Sequence, residues 1–372
     1  GVEDYGFPVP DRCRVFSHDG TLLPGLIDAH THLVADSGVA ALGRVAGYSD
    51  EEIDAVVSEA LHDQLAAGVT TVRDLGDRHF CAVERRDRQR GTQAVEPTVV
   101  ASGPPLTSKG GHCSFMGGEV SSPTEIDRAI AERAERGVDV VKVMASGGIN
   151  TPDSDVMRTQ FTTEELRRIV DGAHRAGLRV TAHAHGTPAV VQAIAVGADG
   201  IEHCSCATDQ GLGQASDETV SALARSGIVV CPTNGFDPLL MKNPPPAIKA
   251  AMDRLGMTPQ QWQHARRDFV ARLHHAGVHL VSGLDSGIDP AKRHGLLPHE
   301  VSDLVACGLS VAEAVAAATS ASADACGLGT VKGRLGPGKH ADLLVVDGDL
   351  EADVTALSRP HSVLLRGTAI KA

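Results

Sequence analysis

The chain has 372 residues, of which 42% are hydrophobic and 22% are charged, and these proportions are typical of a globular protein. A formal net charge of -13 argues against nucleic acid as a partner, because phosphate binding requires clustered lysine and arginine. No run of about 18 apolar residues occurs, so we expect no membrane span. The eight cysteines are dispersed in a chain too long to need disulfides, which indicates reduced thiols and a cytoplasmic location.

The first part of the chain contains little regular structure. Residues 1–24 are rich in proline and glycine and leave room for only one or two short strands. Residues 25–32 follow as an apolar run that is typical of a buried strand. A polar cap at Ser49 or Asp50 then predicts a helix that runs to about Ala67.

From this helix onward the same pattern repeats along the chain. An amphipathic helix ends at a glycine, which suits a left-handed helix cap, and a short β-branched run follows, which suits a parallel strand buried on both faces. With two further runs, the strand candidates lie within residues 25–32, 66–72, 97–101, 136–143, 176–180, 197–201, 226–230 and 276–281. Eight such units predict an α/β fold of the (β/α)8 TIM barrel type. A doubly wound sheet is the competing fold, but no G-x-G-x-x-G motif follows the first strand.

The last part of the chain departs from this pattern. Two alanine-rich helices lead to strand patterns at residues 342–347 and 362–366, without a helix between them that is strong enough for another barrel unit. We therefore predict a small β-sandwich appendage formed by the two ends of the chain. The predicted division is residues 1–24 and 329–372 for the appendage and 25–328 for the barrel.

Two histidines, His30 and His32, end the first predicted strand. Residues i and i+2 of a strand point to the same face, so both imidazoles would project together. Such a pair alone is weak evidence, since solvated or core histidines give the same pattern, but imidazole is a good ligand for zinc, iron, nickel and cobalt. Further ligand types follow at the ends of later strands, where barrel enzymes carry their active sites: Lys142, His183, His203 and Asp285. Their convergence on one barrel mouth predicts a metal site.

These motifs, in this order, resemble the amidohydrolase superfamily, and specifically its imidazolonepropionase-like and Xaa-Pro-dipeptidase-like branch. The matching stretches are residues 24–32, 68–74, 142–148, 183–186, 201–203, 285–287 and 338–347. The resemblance implies two divalent metal ions, expected to be zinc. His30, His32 and Asp285 would bind the more buried ion.

In the same resemblance, His183 and His203 bind the second metal ion. Lys142 is carboxylated by carbon dioxide and bridges both ions as a carbamate. This role makes chemical sense, because a protonated lysine has no lone pair to donate to a metal, whereas a carbamate supplies two oxygens. The alternative for Lys142 is a strand lysine that reaches solvent.

The implied mechanism is hydrolysis by a metal-bridging hydroxide, with Asp285 as general base and then general acid. His112, in a Gly-Gly-His loop after the third strand, is the expected substrate contact, and His185 and Cys231 are further candidates. For His185 a packing role is the alternative, and for His112 a flexible glycine-rich loop. Asp74 and Glu202 would hold ligands or barrel geometry.

The favoured function is binuclear cleavage of an amide bond in a small molecule, a dipeptide or an N-acyl amino acid. One alternative is a mononuclear cyclic-amide hydrolase or deaminase, as in imidazolonepropionase, but such relatives lack the bridging lysine, so Lys142 favours the binuclear enzyme. Lactone or carbamate cleavage would use the same site, and an inactive scaffold protein would be expected to lose ligands. Arg158 is a candidate for binding a substrate carboxylate, and a homo-oligomer is a family-level expectation.

Overall fold

The computed structural model describes residue 15 and residues 17–92, 94–151 and 154–370. Its strands are β1 (Thr21–Pro24), β2 (Leu26–Thr31), β3 (Val69–Asp74), β4 (Thr98–Ala101), β5 (Thr107–Ser108), β6 (Glu119–Val120), β7 (Val140–Met144), β8 (Arg179–Gly186), β9 (Gly200–Ala207), β10 (Val229–Cys231), β11 (His279–Leu280), β12 (Leu343–Val346), β13 (Pro360–Leu365) and β14 (Thr368–Ile370).

The helices alternate with these strands over most of the chain. They are α1 (Ala41–Arg44), α2 (Asp50–Ala66), α3 (Cys81–Gln89), α4 (Pro123–Arg136), α5 (Thr163–Arg175), α6 (Thr187–Val196), α7 (Asp217–Ser226), α8 (Pro246–Arg254), α9 (Pro259–His275), α10 (Leu297–Ala306), α11 (Val311–Ala317) and α12 (Ser320–Ala325). The predicted cap of α2 is confirmed at Ser49, whose side chain accepts a hydrogen bond from the backbone of Glu52.

Eight parallel strands form the predicted TIM barrel. They pair in two runs, β2-β3-β4 and β7-β8-β9-β10-β11. Parallel bridges join the runs on both sides, between Leu106 and Val143 and between Thr31 and Ser286. Every residue of β2, β3 and β7 is buried, as expected for barrel strands that face the interior on one side and helices on the other.

The two ends of the chain meet in a separate antiparallel sheet with the order β1-β12-β13-β14. The pairing of β1 with β12 confirms that the N-terminal and C-terminal segments join, while β14 was not anticipated from the sequence. A buried ion pair between Lys332 and Asp342 fixes the entry to this sheet. Residues 1–14 of the predicted appendage lie outside the described residues, and the division of the chain into separate domains stays a prediction.

The long connection after β10 matters most for the site. It contains α8 and α9, which pack in a small apolar cluster of their own with Phe236, Ile248, Met252 and Trp262. This cluster lies beside the C-terminal ends of the barrel strands, because Phe236, Ile248 and Trp262 also line the cavity there. None of the described helices is long and apolar enough to cross a membrane.

Candidate metal centre and cavity

A cavity of about 620 Å³, including the space that opens to solvent, lies at the C-terminal ends of the barrel strands. All six side chains predicted from sequence to hold metal line it: His30, His32, Lys142, His183, His203 and Asp285. Each is at most 8% exposed. The fold therefore brings together residues that are far apart in the sequence, from His30 to Asp285.

His30 and His32 both direct Nε2 at the same carboxylate oxygen. Oδ1 of Asp285 lies 3.3 Å from Nε2 of His30 and 3.2 Å from Nε2 of His32. Nδ1 of His30 lies 2.8 Å from a carboxylate oxygen of Glu202, and Nδ1 of His32 lies 3.2 Å from the carbonyl oxygen of Gly76. Because both partners only accept hydrogen bonds, each Nδ1 must carry a proton, and in its neutral form each ring presents an Nε2 lone pair. Two lone pairs and a carboxylate oxygen that converge in this way fit a bound cation.

Glu202 is the buried group that fixes His30. Its carboxylate accepts hydrogen bonds from Nδ1 of His30 at 2.8 Å, from Arg73 at 3.1 Å and from the Thr181 hydroxyl at 2.6 Å. Burial alone would raise the pKa of Glu202, but the Arg73 guanidinium and His30 hold that pKa well below its usual range. Glu202 is therefore an ionised carboxylate that orients a ring, which agrees with the supporting role expected from sequence.

Asp74 supports His32 less directly. Its carboxylate accepts hydrogen bonds from the backbone nitrogens of Leu33 at 2.8 Å and Gly76 at 3.1 Å. It thereby holds both Gly76, whose carbonyl His32 contacts, and the residue that follows His32. Burial works against the protonated ring of His32, but Asp285 beside it raises the pKa of that imidazole.

His183 and His203 form a second group in the same cavity. Their ring centroids are 4.6 Å apart, and one nitrogen each of His183, His185 and His203 lies within 4.8 Å of the other two. His203 also groups in this way with His30 and Asp285, so it connects the two halves of the site. Burial, together with the neighbouring imidazoles, lowers the pKa of His183 and His203 well below the usual value. Both rings are therefore neutral, the form that binds metal.

The backbone at two of these positions is strained. His203 has a φ of 67° and Asp285 a φ of 68°. Both values lie in the left-handed region, which residues other than glycine rarely adopt. Such conformations persist only where surrounding structure enforces them, and they concentrate at functional sites. His203 lies within β9 and Asp285 in the segment after β11, and both side chains line the cavity.

Lys142 lies in β7 with only 1% of its surface exposed, so it is not a lysine that reaches solvent. Burial lowers the pKa of its amine, although the carboxylates of Glu202 and Asp285 oppose this effect. A lowered pKa increases the fraction of neutral amine, and the neutral amine is the form that can react with carbon dioxide. The surroundings of Lys142 thus fit the expected carbamate.

The candidate substrate contacts have different outcomes. His112 and His185 line the cavity, with the His112 ring 4.6 Å from that of His183. Cys231 does not line it: its Sγ is buried behind the metal-facing side chains, 3.8 Å from the carbonyl oxygen of Gly283. Arg158 is 85% exposed and pairs with Asp155, so it is not placed to bind a substrate carboxylate in this cavity.

Two cations in the cavity were missed by sequence reasoning. Arg266 projects from α9, and Lys292 comes from a short 3₁₀ turn after β11. Trp262 and Arg266 are four residues apart and therefore lie on one face of α9, a spacing that was readable from sequence. Nothing in the sequence indicated that this face covers the barrel mouth.

The sequence model of the amidohydrolase family matches residues 21–370 of this chain. An uncharacterized protein of Mycobacterium tuberculosis is 28% identical over 368 residues, covering 97% of this chain and 88% of that protein. An ochratoxinase of Aspergillus niger is 27% identical over 378 residues, covering 92% of this chain and 73% of that protein. Among solved structures, a Xaa-Pro dipeptidase with bound methionine has a TM-score of 0.83 and 25% identity, covering 95% of this chain and 87% of that one.

Proposed function

This chain belongs to the amidohydrolase family and is a hydrolase of carbon–nitrogen bonds, and we propose that it cleaves the amide bond of an N-acyl amino acid or dipeptide with two bound divalent metal ions. The observation that carries this proposal is the convergence of the His30 and His32 Nε2 atoms on Asp285, with Lys142 and two neutral histidines in the same cavity. Zinc suits this mixture of imidazole and carboxylate ligands.

The residues divide between two metal positions. His30, His32 and Asp285 would hold one ion, and His183 and His203 the other. Lys142, as its carbamate, would contribute one oxygen to each. Ions bound there would lower the pKa of a water molecule and polarise the substrate carbonyl.

Proton transfer is assigned to Asp285. The two imidazoles hold the pKa of its carboxyl well below the usual range, against the effect of burial, so the group is ionised and can accept a proton from the attacking water. It would then deliver that proton to the leaving nitrogen. His112 is assigned a contact with the substrate, because its ring lies at the cavity wall. Burial lowers the pKa of that ring to about 3, so the ring is neutral.

The relatives point to the same chemistry. The names of the ochratoxinase and of the Xaa-Pro dipeptidase both describe hydrolases, and the second acts on a peptide bond. The buried position of Lys142 supports two metal ions over the mononuclear cyclic-amide hydrolase or deaminase. The zinc, the carbamate, the cytoplasmic location and a homo-oligomeric assembly stay predictions.

The proposal is tested by assaying dipeptides and N-acetyl amino acids against the protein purified without chelator. We expect hydrolysis that disappears after the metal is removed and returns when zinc is added. Cyclic amides and amino-substituted heterocycles serve as the comparison set. Turnover of that set alone, or activity that persists without metal, would contradict the proposal.

A further inference from the structure

Arg266 reaches the cavity wall with part of its guanidinium unused. Its Nε donates to the side-chain oxygen of Asn234 at 2.7 Å, and its Nη2 donates to the carbonyl oxygens of Pro232 at 3.0 Å and Thr233 at 2.8 Å. All three acceptors are uncharged. Over the described ranges of the chain, Nη1 has no hydrogen-bond partner, so its two protons are available to the cavity.

Lys292 is held in a similar way and shares an acceptor, the carbonyl oxygen of Thr233, with Arg266. Its Nζ donates to the carbonyl oxygens of Thr233 at 2.7 Å and Leu284 at 2.8 Å. Nζ lies 4.1 Å from the centroid of the Phe236 ring, and the Arg266 guanidinium carbon lies 5.4 Å from it. An aromatic face thus contacts both cations, which attracts them only weakly compared with a carboxylate.

This arrangement differs from that of three other cations in the protein. Arg73 pairs with Glu202, Arg86 with Asp139 and Lys332 with Asp342. Within the described part of the chain, neither Arg266 nor Lys292 has a carboxylate within 4.0 Å. Lys292 is buried and Arg266 is half-buried, so placing both cations in one wall without an ion-pair partner costs free energy, and an anion that enters the cavity would offset that cost.

Three other charged groups need to be compared with this pair of cations. Arg133 also has no carboxylate partner among the described residues, but both of its Nη nitrogens bind protein carbonyls and it does not line the cavity. Glu300 lies near both cations but forms no ion pair with either among the described residues; its Oε2 accepts a hydrogen bond from the backbone nitrogen of Gly235, and burial raises its pKa to about 8. Asp285 also lies near Lys292, but its Oδ1 faces the Nε2 atoms of His30 and His32. The free Nη1 of Arg266 is therefore open to an anion that enters the cavity.

We propose that Nη1 of Arg266 binds a free carboxylate of the substrate, with Lys292 adding to the positive field, so that Arg266 determines specificity for N-acyl amino acids and dipeptides over neutral amides, carbamates and ureas. The inference rests on the proposed function, since it concerns the substrate of the same site. The carboxylate would lie on the same side of the cavity as Asp285, because Lys292 contacts the carbonyl of the preceding residue, Leu284.

The test compares two substrates that differ only in the carboxylate: N-acetyl-L-leucine and N-(3-methylbutyl)acetamide. The variants are R266M, R266K and, as a matched control, R267M. Arg267 is the next residue of α9, does not line the cavity, and pairs with Asp303 of α10. Wild type should prefer the acid in kcat/KM. R266M should raise KM for the acid roughly 10- to 100-fold, the usual worth of a charge-assisted hydrogen bond, and should lower the acid-to-amide ratio of kcat/KM by the same factor.

R266K should recover part of this loss, and R267M should behave as wild type. Equal kcat/KM values for the two substrates in wild type, or an unchanged KM for the acid in R266M, would overturn the assignment. A binding measurement separates this result from failure of the proposed function. In calorimetry, metal-free wild type should bind N-acetyl-L-leucine more tightly than the neutral amide, and R266M should bind the two compounds equally. Equal affinity of wild type for the two compounds would refute the role of Arg266, whether or not either compound is cleaved.

Discussion

Replacing Glu202 by glutamine tests whether this buried carboxylate orients His30. The three groups that contact it, the His30 ring, Arg73 and Thr181, all donate hydrogen bonds to its two oxygens. A glutamine of the same shape offers one oxygen and one NH₂ group, so at least one donor must face another donor. The substitution also removes the negative charge that pairs with Arg73, which is 5% exposed.

The expected loss has two parts. Removing one partner of a buried ion pair costs about 3–5 kcal/mol of folding free energy, because the other charge stays buried without compensation. Loss of the group that orients a ligand histidine lowers metal affinity roughly 10- to 100-fold. The first effect should appear as a lower urea midpoint of the metal-free protein, and the second as weaker zinc binding in competition with a chromophoric chelator.

A double variant, E202Q with R73M, separates the two effects. Removing both charges should restore most of the lost stability, since no unpaired charge remains, but zinc affinity should stay low because His30 is still not oriented. Unchanged zinc affinity in E202Q would refute the orienting role of Glu202. Recovery of zinc affinity together with stability in the double variant would show that the loss was only a consequence of a weaker fold.

Three further predictions follow from the site. Gly283→Ala should weaken metal binding, because a Cβ at this position would lie 2.6 Å from the backbone nitrogen of His30, whereas Gly336→Ala, which meets nothing within 4 Å, should not. Asp285→Asn should lower kcat at least about 100-fold in steady-state assays, since the amide cannot accept the proton. The metal-free protein should lose stability in urea titrations as pH falls from about 6.5 to about 4, because over this range the unfolded chain binds protons that the buried histidines do not. Eight buried groups with lowered pKa favour this trend: His30, His112, His183, His185, His203, His294, Glu202 and Asp285. They outnumber the six buried groups with raised pKa that oppose it: Asp28, Asp74, Asp77, Asp289, Glu300 and His32. A flat or inverted pH profile would contradict this balance.

The features that could be predicted from sequence are those set by local periodicity. Repeated glycine-capped helices and β-branched runs gave the eight barrel strands, because each unit repeats the same short-range pattern. The rule that barrel sites lie at the C-terminal strand ends then brought His30 and Asp285 together, although they are far apart in the chain.

Cys231, a candidate substrate contact, is not among the residues that line the cavity, and there is a physical reason. Side chains alternate between faces only while a strand continues, and β10 ends at Cys231. Thr233 beyond it has a left-handed backbone with a φ of 52°, and it is Thr233 that lines the cavity. Arg266 was missed because its position depends on how α9 packs over the barrel, which is a long-range property of the fold.

The most direct test of the binuclear site is the metal content per chain, measured by elemental analysis of wild type and Lys142→Ala purified without chelator. We expect two metal ions per chain in wild type and one or fewer in the variant, because Lys142 is proposed to bridge both ions. One ion in each protein would favour the mononuclear alternative. The absence of metal from both proteins, with the fold intact by circular dichroism, would contradict the metal-dependent mechanism.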